Sequence, residues 1–361
     1  MKEFKPILKN FDEVLDSNNN AIFKNTNENF FKDFGKINTN NPLKLYSSLA
    51  DKLGGSLPKN FCLCDSNSLK ELFDEVKKTN SSYITCYNNL IKNDYNGKDV
   101  PIKFIPVMVK EYDLRENKYG VYTEELCSKI SNLFNVETSF IKSFEHNNKL
   151  YILSVDFMQE NTLFETLGSY GYINHNDHFL YYSEYISNIL AKTKMVNPYI
   201  FYKEVNKLDD YNLSLQDKIK IEEKLIEQFL FRKYIIKDND FYDYNVGILY
   251  NTKTKEYSLA PNFDMECAFE SEQSKGALTA YLKNFNCYYP NILKNFMKKS
   301  QNILKKNLLN YEVFENVYFY EGEEYKKQII DNLIKRIKEN IIKLNCYYKK
   351  AIKEKELTIN K

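Results

Sequence analysis

Tryptophan is absent from this chain and arginine is nearly so: of 51 basic residues, only Arg115, Arg232 and Arg336 are arginines. Lysine, asparagine, isoleucine and tyrosine crowd the remaining positions, the mark of A+T-rich coding, so a lysine or asparagine says little about function by itself. Histidine is equally scarce. Two of its three copies stand in His175-Asn176-Asp177-His178 with no third ligand beside them, which reads as a polar loop rather than a metal site. The seven cysteines are odd in number and lack any CxxC spacing, which excludes a disulfide framework and a structural zinc site and suits reduced thiols in the cytoplasm. Cys62 and Cys64 alternate along one run and read as packing.

No run approaches the roughly 20 apolar residues that span a bilayer. The N-terminus, Met1-Lys2-Glu3-Phe4-Lys5-Pro6, enters polar sequence directly, so neither export nor membrane insertion is expected. A net charge of +2 gives no global attraction to nucleic acid, and no direct nucleic-acid binding is expected. Gly-x-Ser-x-Gly, HExxH and Gly-x-Gly-x-x-Gly are all missing, which leaves hydrolase and dehydrogenase readings without an anchor.

What is present is a chain of 361 residues, 43% hydrophobic and 28% charged, able to bury a full core in one large or two smaller domains. After Asn-rich polar stretches in residues 1–50, Leu53-Gly54-Gly55-Ser56-Leu57-Pro58-Lys59 predicts a turn leading into a strand. Residues 66–98 read as a polar insertion containing helix. A strand follows from Ile102, broken or redirected at Pro106 and ending at Lys110. Leu126, Ile130 and Leu133 predict a helix over 122–134, with Thr123 as cap and Glu124 and Glu125 in the first turn. Short β-type runs follow at Phe140-Ile141 and Leu150–Met158. Beyond residue 160 the pattern turns helical and ends in an amphipathic helix over 324–356 carrying Ile330, Leu333, Ile337, Ile341 and Leu344. Within this half, strands Val246–Tyr250 and Glu256–Leu259 predict a hairpin. The expected fold is α+β, with a β-rich lobe over residues 1–158 and a mostly helical lobe over 159–361.

The chemistry concentrates around that hairpin. Asp240 is followed five residues later by Asn245, and Asp264 follows the second strand in Leu259-Ala260-Pro261-Asn262-Phe263-Asp264. Phosphoryl transfer needs one carboxylate to orient the acceptor hydroxyl, plus an amide oxygen and a second carboxylate as hard ligands for Mg²⁺ on the nucleotide phosphates. An antiparallel hairpin can return Asp264 to the neighbourhood of Asn245.

These two blocks resemble the Asp-x-His-x-x-Asn and Leu-Ala-Pro-x-(Tyr/Phe)-Asp blocks of the HipA-like serine/threonine kinases. Gly54-Gly55-Ser56-Leu57-Pro58-Lys59 is similar to that family's Gly-Gly-x-x-Pro-Lys phosphate loop, and the matches run in family order over about 53–270. The resemblance implies a bilobal protein-kinase-like fold and an ATP- and Mg²⁺-dependent kinase acting on a Ser or Thr of a protein. It implies Asp240 as catalytic base, Asn245 and Asp264 as metal ligands, and Lys110 on the phosphates with Glu124 pairing it. Gly54, Gly55, Ser56 and Lys59 would cover the nucleotide, and Ser154–Met158, including Asp156 and Phe157, would form the adenine-contacting hinge. It further implies a bacterial cytosolic setting, and a toxin–antitoxin role with an antitoxin partner.

The chain departs from the family where Phe241-Tyr242 replaces the usual Arg-His, which opens a pseudokinase or nucleotide-binding module as the alternative. Lys103 rivals Lys110, Glu125 rivals Glu124, and Asp238 and Asp243 rival Asp240. An interaction protein using the C-terminal helix is a further alternative.

Overall fold

The computed structural model describes residues 4–9, 59–65, 68–69, 91–93, 99–101, 104–112, 119–147, 149–155, 157, 162–166, 215–241, 245–251, 254, 256–269 and 275–359. Gly54, Gly55, Ser56, Lys103, Asp156, Tyr242, Asp243, both loop histidines and most of the 66–98 insertion lie outside them. Strand and helix are both present, and the α+β expectation is met at that level.

The N-terminal half forms a five-stranded antiparallel sheet ordered β1 (Leu8–Lys9), β2 (Lys59–Asp65), β5 (Phe104–Glu111), β7 (Lys149–Val155), β6 (Ile141–His146). β3 (Ile91–Asn93) and β4 (Asp99–Pro101) pair separately. β5 runs through Pro106, which faces Leu63 in the β2 register, and continues past Lys110 to Glu111. The expected break at the proline does not occur.

The two faces of β5 have different neighbours, as a two-residue period requires. Val107 and Val109 join Cys64, Phe144, Leu153 and Val155 in one apolar cluster. Lys110 stands on the other face, opposite Ile152 of β7, which belongs to the larger core.

Helix α1 (Thr123–Phe134) packs against that second face. Thr123 is its first residue and not its cap: the Thr123 hydroxyl donates to the Gly120 carbonyl at 2.9 Å, and Tyr122 occupies the capping position without a side-chain bond. Asn135, left-handed at φ 53°, ends the helix, a conformation asparagine tolerates.

The C-terminal half holds α2 (Leu215–Leu230), the hairpin strands β9 (Gly247–Asn251) and β10 (Glu256–Leu259), α3 (Lys275–Tyr288), α4 (Pro290–Lys305) and α5 (Glu323–Ile359). β8 (Thr162–Thr166) completes a three-stranded sheet on the far edge of β9. α5 extends slightly beyond the predicted helix at both ends and buries Ile330, Leu333, Ile337, Ile341 and Leu344 as its periodicity demands.

One apolar core runs continuously from α1 into these helices. Phe134 sits at the join, its ring 5.8 Å from Phe231 and stacked 5.5 Å from Phe296. Phe134→Ala should lower unfolding stability by about 3–5 kcal/mol, as cavity-forming aromatic truncations do. Urea denaturation of the two proteins side by side measures that difference.

Candidate active site

Lys110 is 1% exposed and is the ion around which three distant segments meet. Its ammonium donates to Glu124 Oε1 at 2.9 Å and to Asp264 Oδ1, with Glu266 Oε2 3.7 Å away. Burial lowers the affinity of such an amine for its proton, but Asp264, Glu124 and Glu266 outweigh it and push the pKa well above the ordinary lysine value. Lys110 is therefore charged. The neighbouring Tyr112 phenol is pushed up by burial and by Glu124 and Glu266, and it stays protonated.

Strand register brings Lys59 to this lysine. Lys59, the first residue of β2, faces Lys110 across the sheet. The rival position 103 precedes the opposite end of β5, where Asp65 faces Phe104, six residues or about 20 Å from Lys110.

Helix rotation separates the two glutamates. Glu124 turns to Lys110, whereas Glu125 turns toward β6 and accepts from Lys142 at 2.7 Å, from the Ser143 amide at 2.9 Å and from the Ser143 hydroxyl at 2.5 Å. Consecutive helical residues diverge by about 100°, so they cannot share a partner.

The segment before β9 is positioned by an element that sequence reasoning did not find. α2 passes into a π-helical turn over Phe231–Ile236 that ends at left-handed Lys237. Within that turn Arg232, 0% exposed, forms a buried ion pair with Asp238. Its remaining donors reach the carbonyls of Asn245 at 3.4 Å, Phe263 at 3.0 Å and Asp264 at 2.8 Å. One guanidinium thereby braces both candidate loops. A planar fork with five donors does this where a lysine could not, and the rarity of arginine in the sequence was the available signal.

Asp238 Oδ1 accepts the Asp240 amide at 2.9 Å, and this buried carboxylate is committed to support. Lys233 donates to the carbonyls of Asp238 at 3.1 Å and Asn239 at 3.4 Å; burial lowers its pKa to about 8.

The Asn245 amide nitrogen donates to the Asp240 carbonyl at 2.5 Å and to Asp240 Oδ2 at 3.0 Å, joining the two ends of the Asp-x4-Asn block. The Asp240 carboxyl pKa is raised, first by burial and then by Asp238, with Asp264 adding to it, while the Asn245 bond opposes the shift. Phe241 is a core residue: Arg232 lies 4.8 Å from its ring centroid and Phe229 packs edge-on against it.

Asp264 occupies a left-handed conformation, φ 54°, which turns its side chain to Lys110 while its carbonyl faces Arg232. The preceding residues are pinned. The Ser139 amide donates to the Asn262 carbonyl and the Asn262 amide to the Glu137 carbonyl, each at 2.8 Å, and Gln228 holds the Ala260 carbonyl at 2.8 Å. Phe157, from the predicted hinge, packs 5.8 Å from Phe263.

Glu124, Asp264 and Glu266 place carboxylate oxygens within 4.8 Å of one another. Glu266 lay unnoticed in the sequence because nothing local distinguishes it.

No protein-family model matches the chain, and no curated protein does. Among solved structures, a Helicobacter pylori proinflammatory kinase, CtkA, is similar with a TM-score of 0.42 and 14% identity, covering 70% of this chain and 92% of that one. A chain from the HipA, HipB and operator DNA complex of a Shewanella oneidensis toxin–antitoxin system is similar with a TM-score of 0.44 and 8% identity, covering 72% and 65%. At this distance the likeness assigns neither family nor activity, and function is argued from the site.

The raised Asp240 value has a sign that can be checked. A carboxyl whose folded pKa exceeds its unfolded one contributes stability below the ordinary carboxylate range and loses it as pH rises through the raised value. Asp240→Asn should therefore melt at a higher temperature than the wild type at pH 7. Scanning calorimetry across pH should find that advantage shrinking as pH falls toward about 4.

Proposed function

We propose that this protein is an ATP- and Mg²⁺-dependent kinase that transfers a phosphoryl group to a Ser or Thr hydroxyl of a protein. The observation that carries the reading is the convergence on Lys110 of Glu124 and Asp264, with the Asp240–Asn245 pair braced by the same arginine that holds Asp264. The division into lobes over 1–158 and 159–361 belongs to the same proposal. So do contacts of nucleotide with Gly54, Gly55, Ser56 and Lys59, and with the hinge around Asp156 and Phe157.

In this reading Lys110 supplies fixed positive charge for the nucleotide phosphates, and Glu124 keeps that ammonium in place when Asp264 is drawn elsewhere. Asp240, with its raised pKa, accepts or orients the proton of the acceptor hydroxyl. The Asn245 amide holds the Asp240 carboxyl in one orientation. Asp264 and the Asn245 amide oxygen would in this reading be the hard-oxygen ligands for Mg²⁺, and Glu124 and Glu266 hold further carboxylate oxygens beside Asp264. A bound Mg²⁺ would neutralise phosphate charge. The toxin–antitoxin role and an antitoxin partner follow from the sequence resemblance and are part of the proposal.

A second reading is a nucleotide-binding module without transfer, favoured by Phe241, which packs into the core where the resembled family carries arginine, with Tyr242 standing in place of that family's histidine. Transfer of labelled γ-phosphate from Mg-ATP, by the protein alone and in a bacterial lysate, separates the two. Wild type should label itself or a lysate protein. Asp264→Ala should abolish labelling, and Asp240→Asn should retain ATP while losing at least about 10²-fold in transfer. Full activity in either variant removes that residue from its role, and ATP binding without transfer in the wild type supports the second reading.

A further inference from the structure

We propose that residues 315–321, the segment leading into α5, act as a strap that positions Glu124 for its pairing with Lys110. The kinetic consequence rests on the phosphoryl-transfer reading; the structural one does not.

The strap holds α1 on both sides of Glu124. Tyr122, immediately before the helix, donates its hydroxyl to Glu321 Oε2 at 2.8 Å and accepts the Tyr320 amide at 3.0 Å. Its ring stacks on Phe319, 4.0 Å between centroids and 23° between planes. Burial pushes the Tyr122 pKa far up, so this hydroxyl remains a donor across the physiological range.

One residue beyond Glu124, Glu125 accepts from Lys142, and the same ammonium donates to the Asn316 carbonyl at 2.5 Å. The strap's start is secured in turn by Lys326 of α5, 1% exposed, which donates to the Glu315 carbonyl at 2.8 Å. Val317 and Phe319 are buried between these ties.

Two tethers, at positions 122 and 125, fix the rotation of the helix about its own axis. Glu124 and Glu125 are about 100° apart on that axis, so rotation is what determines which carboxylate meets Lys110. Neither Glu321 nor Asn316 touches Lys110 or Glu124, so both act as positioning residues through α1.

The test uses the full chain with Glu321→Ala, which removes one acceptor from an exposed position, Glu321→Gln, which keeps an acceptor there, and Tyr122→Phe, which deletes both hydroxyl bonds and keeps the ring. Amide hydrogen exchange over residues 123–128 and the KM and kcat for Mg-ATP are measured in each. Glu321→Ala and Tyr122→Phe should speed exchange in the first turns of α1 and raise the ATP KM by about five- to tenfold. Glu321→Gln should restore both toward wild type.

Combined with Glu124→Gln, Glu321→Ala should cost no further ATP affinity, because the strap acts through that carboxylate. Unchanged exchange in both Glu321→Ala and Tyr122→Phe overturns the strap. So does a full additional loss on the Glu124→Gln background. If wild type binds no Mg-ATP, the kinase reading fails while the exchange comparison still decides the strap.

Discussion

An ammonium buried at 1% exposure is the constraint from which the rest of the site follows. Removing such a charge from water costs several kcal/mol unless carboxylates and good geometry offset it. Lys110 finds those carboxylates on α1 and on the segment after β10, parts of the chain 14 and 154 residues away. β5 must present the lysine on its α1 face, α1 must be rotated to offer Glu124, and Asp264 must adopt a left-handed backbone to reach back. Each condition is local, but none is satisfied locally.

A second buried ion pair makes the C-terminal segments obey the same geometry. Arg232 is held by Asp238 and distributes its donors to backbone carbonyls on both sides of the hairpin. It stands on a π-helical turn, where the usual bonding ladder is offset and carbonyls need other partners; Asn340 of α5 supplies one, at 2.8 Å to Ile235. Asp264 links the two systems, its side chain on Lys110 and its carbonyl on Arg232. Its backbone is thus held independently of the partner its side chain takes.

The sequence was most readable where structure repeats with a period. The α5 stripe, the α1 helix and the hairpin strands were visible because burial on one face imposes 3.6- or 2-residue spacing. Reading failed at points decided by one neighbour. Pro106 stays inside β5, and Thr123 bonds backward to Gly120. Arg232, Glu266 and the strap carry no local pattern at all, and only the scarcity of arginine pointed toward the first.

The sequence by itself determined which segments become helix or strand and the order of the Asp-x4-Asn and Leu-Ala-Pro-x-Phe-Asp blocks along the chain, because periodicity and motif spacing are properties of neighbours. Tertiary structure alone decided which lysine lies opposite Lys59, which of two adjacent glutamates meets it, and which arginine joins the segments before and after the hairpin. Those outcomes depend on register and helix rotation, and both are set by long-range packing and by the cost of leaving a buried charge without its partner.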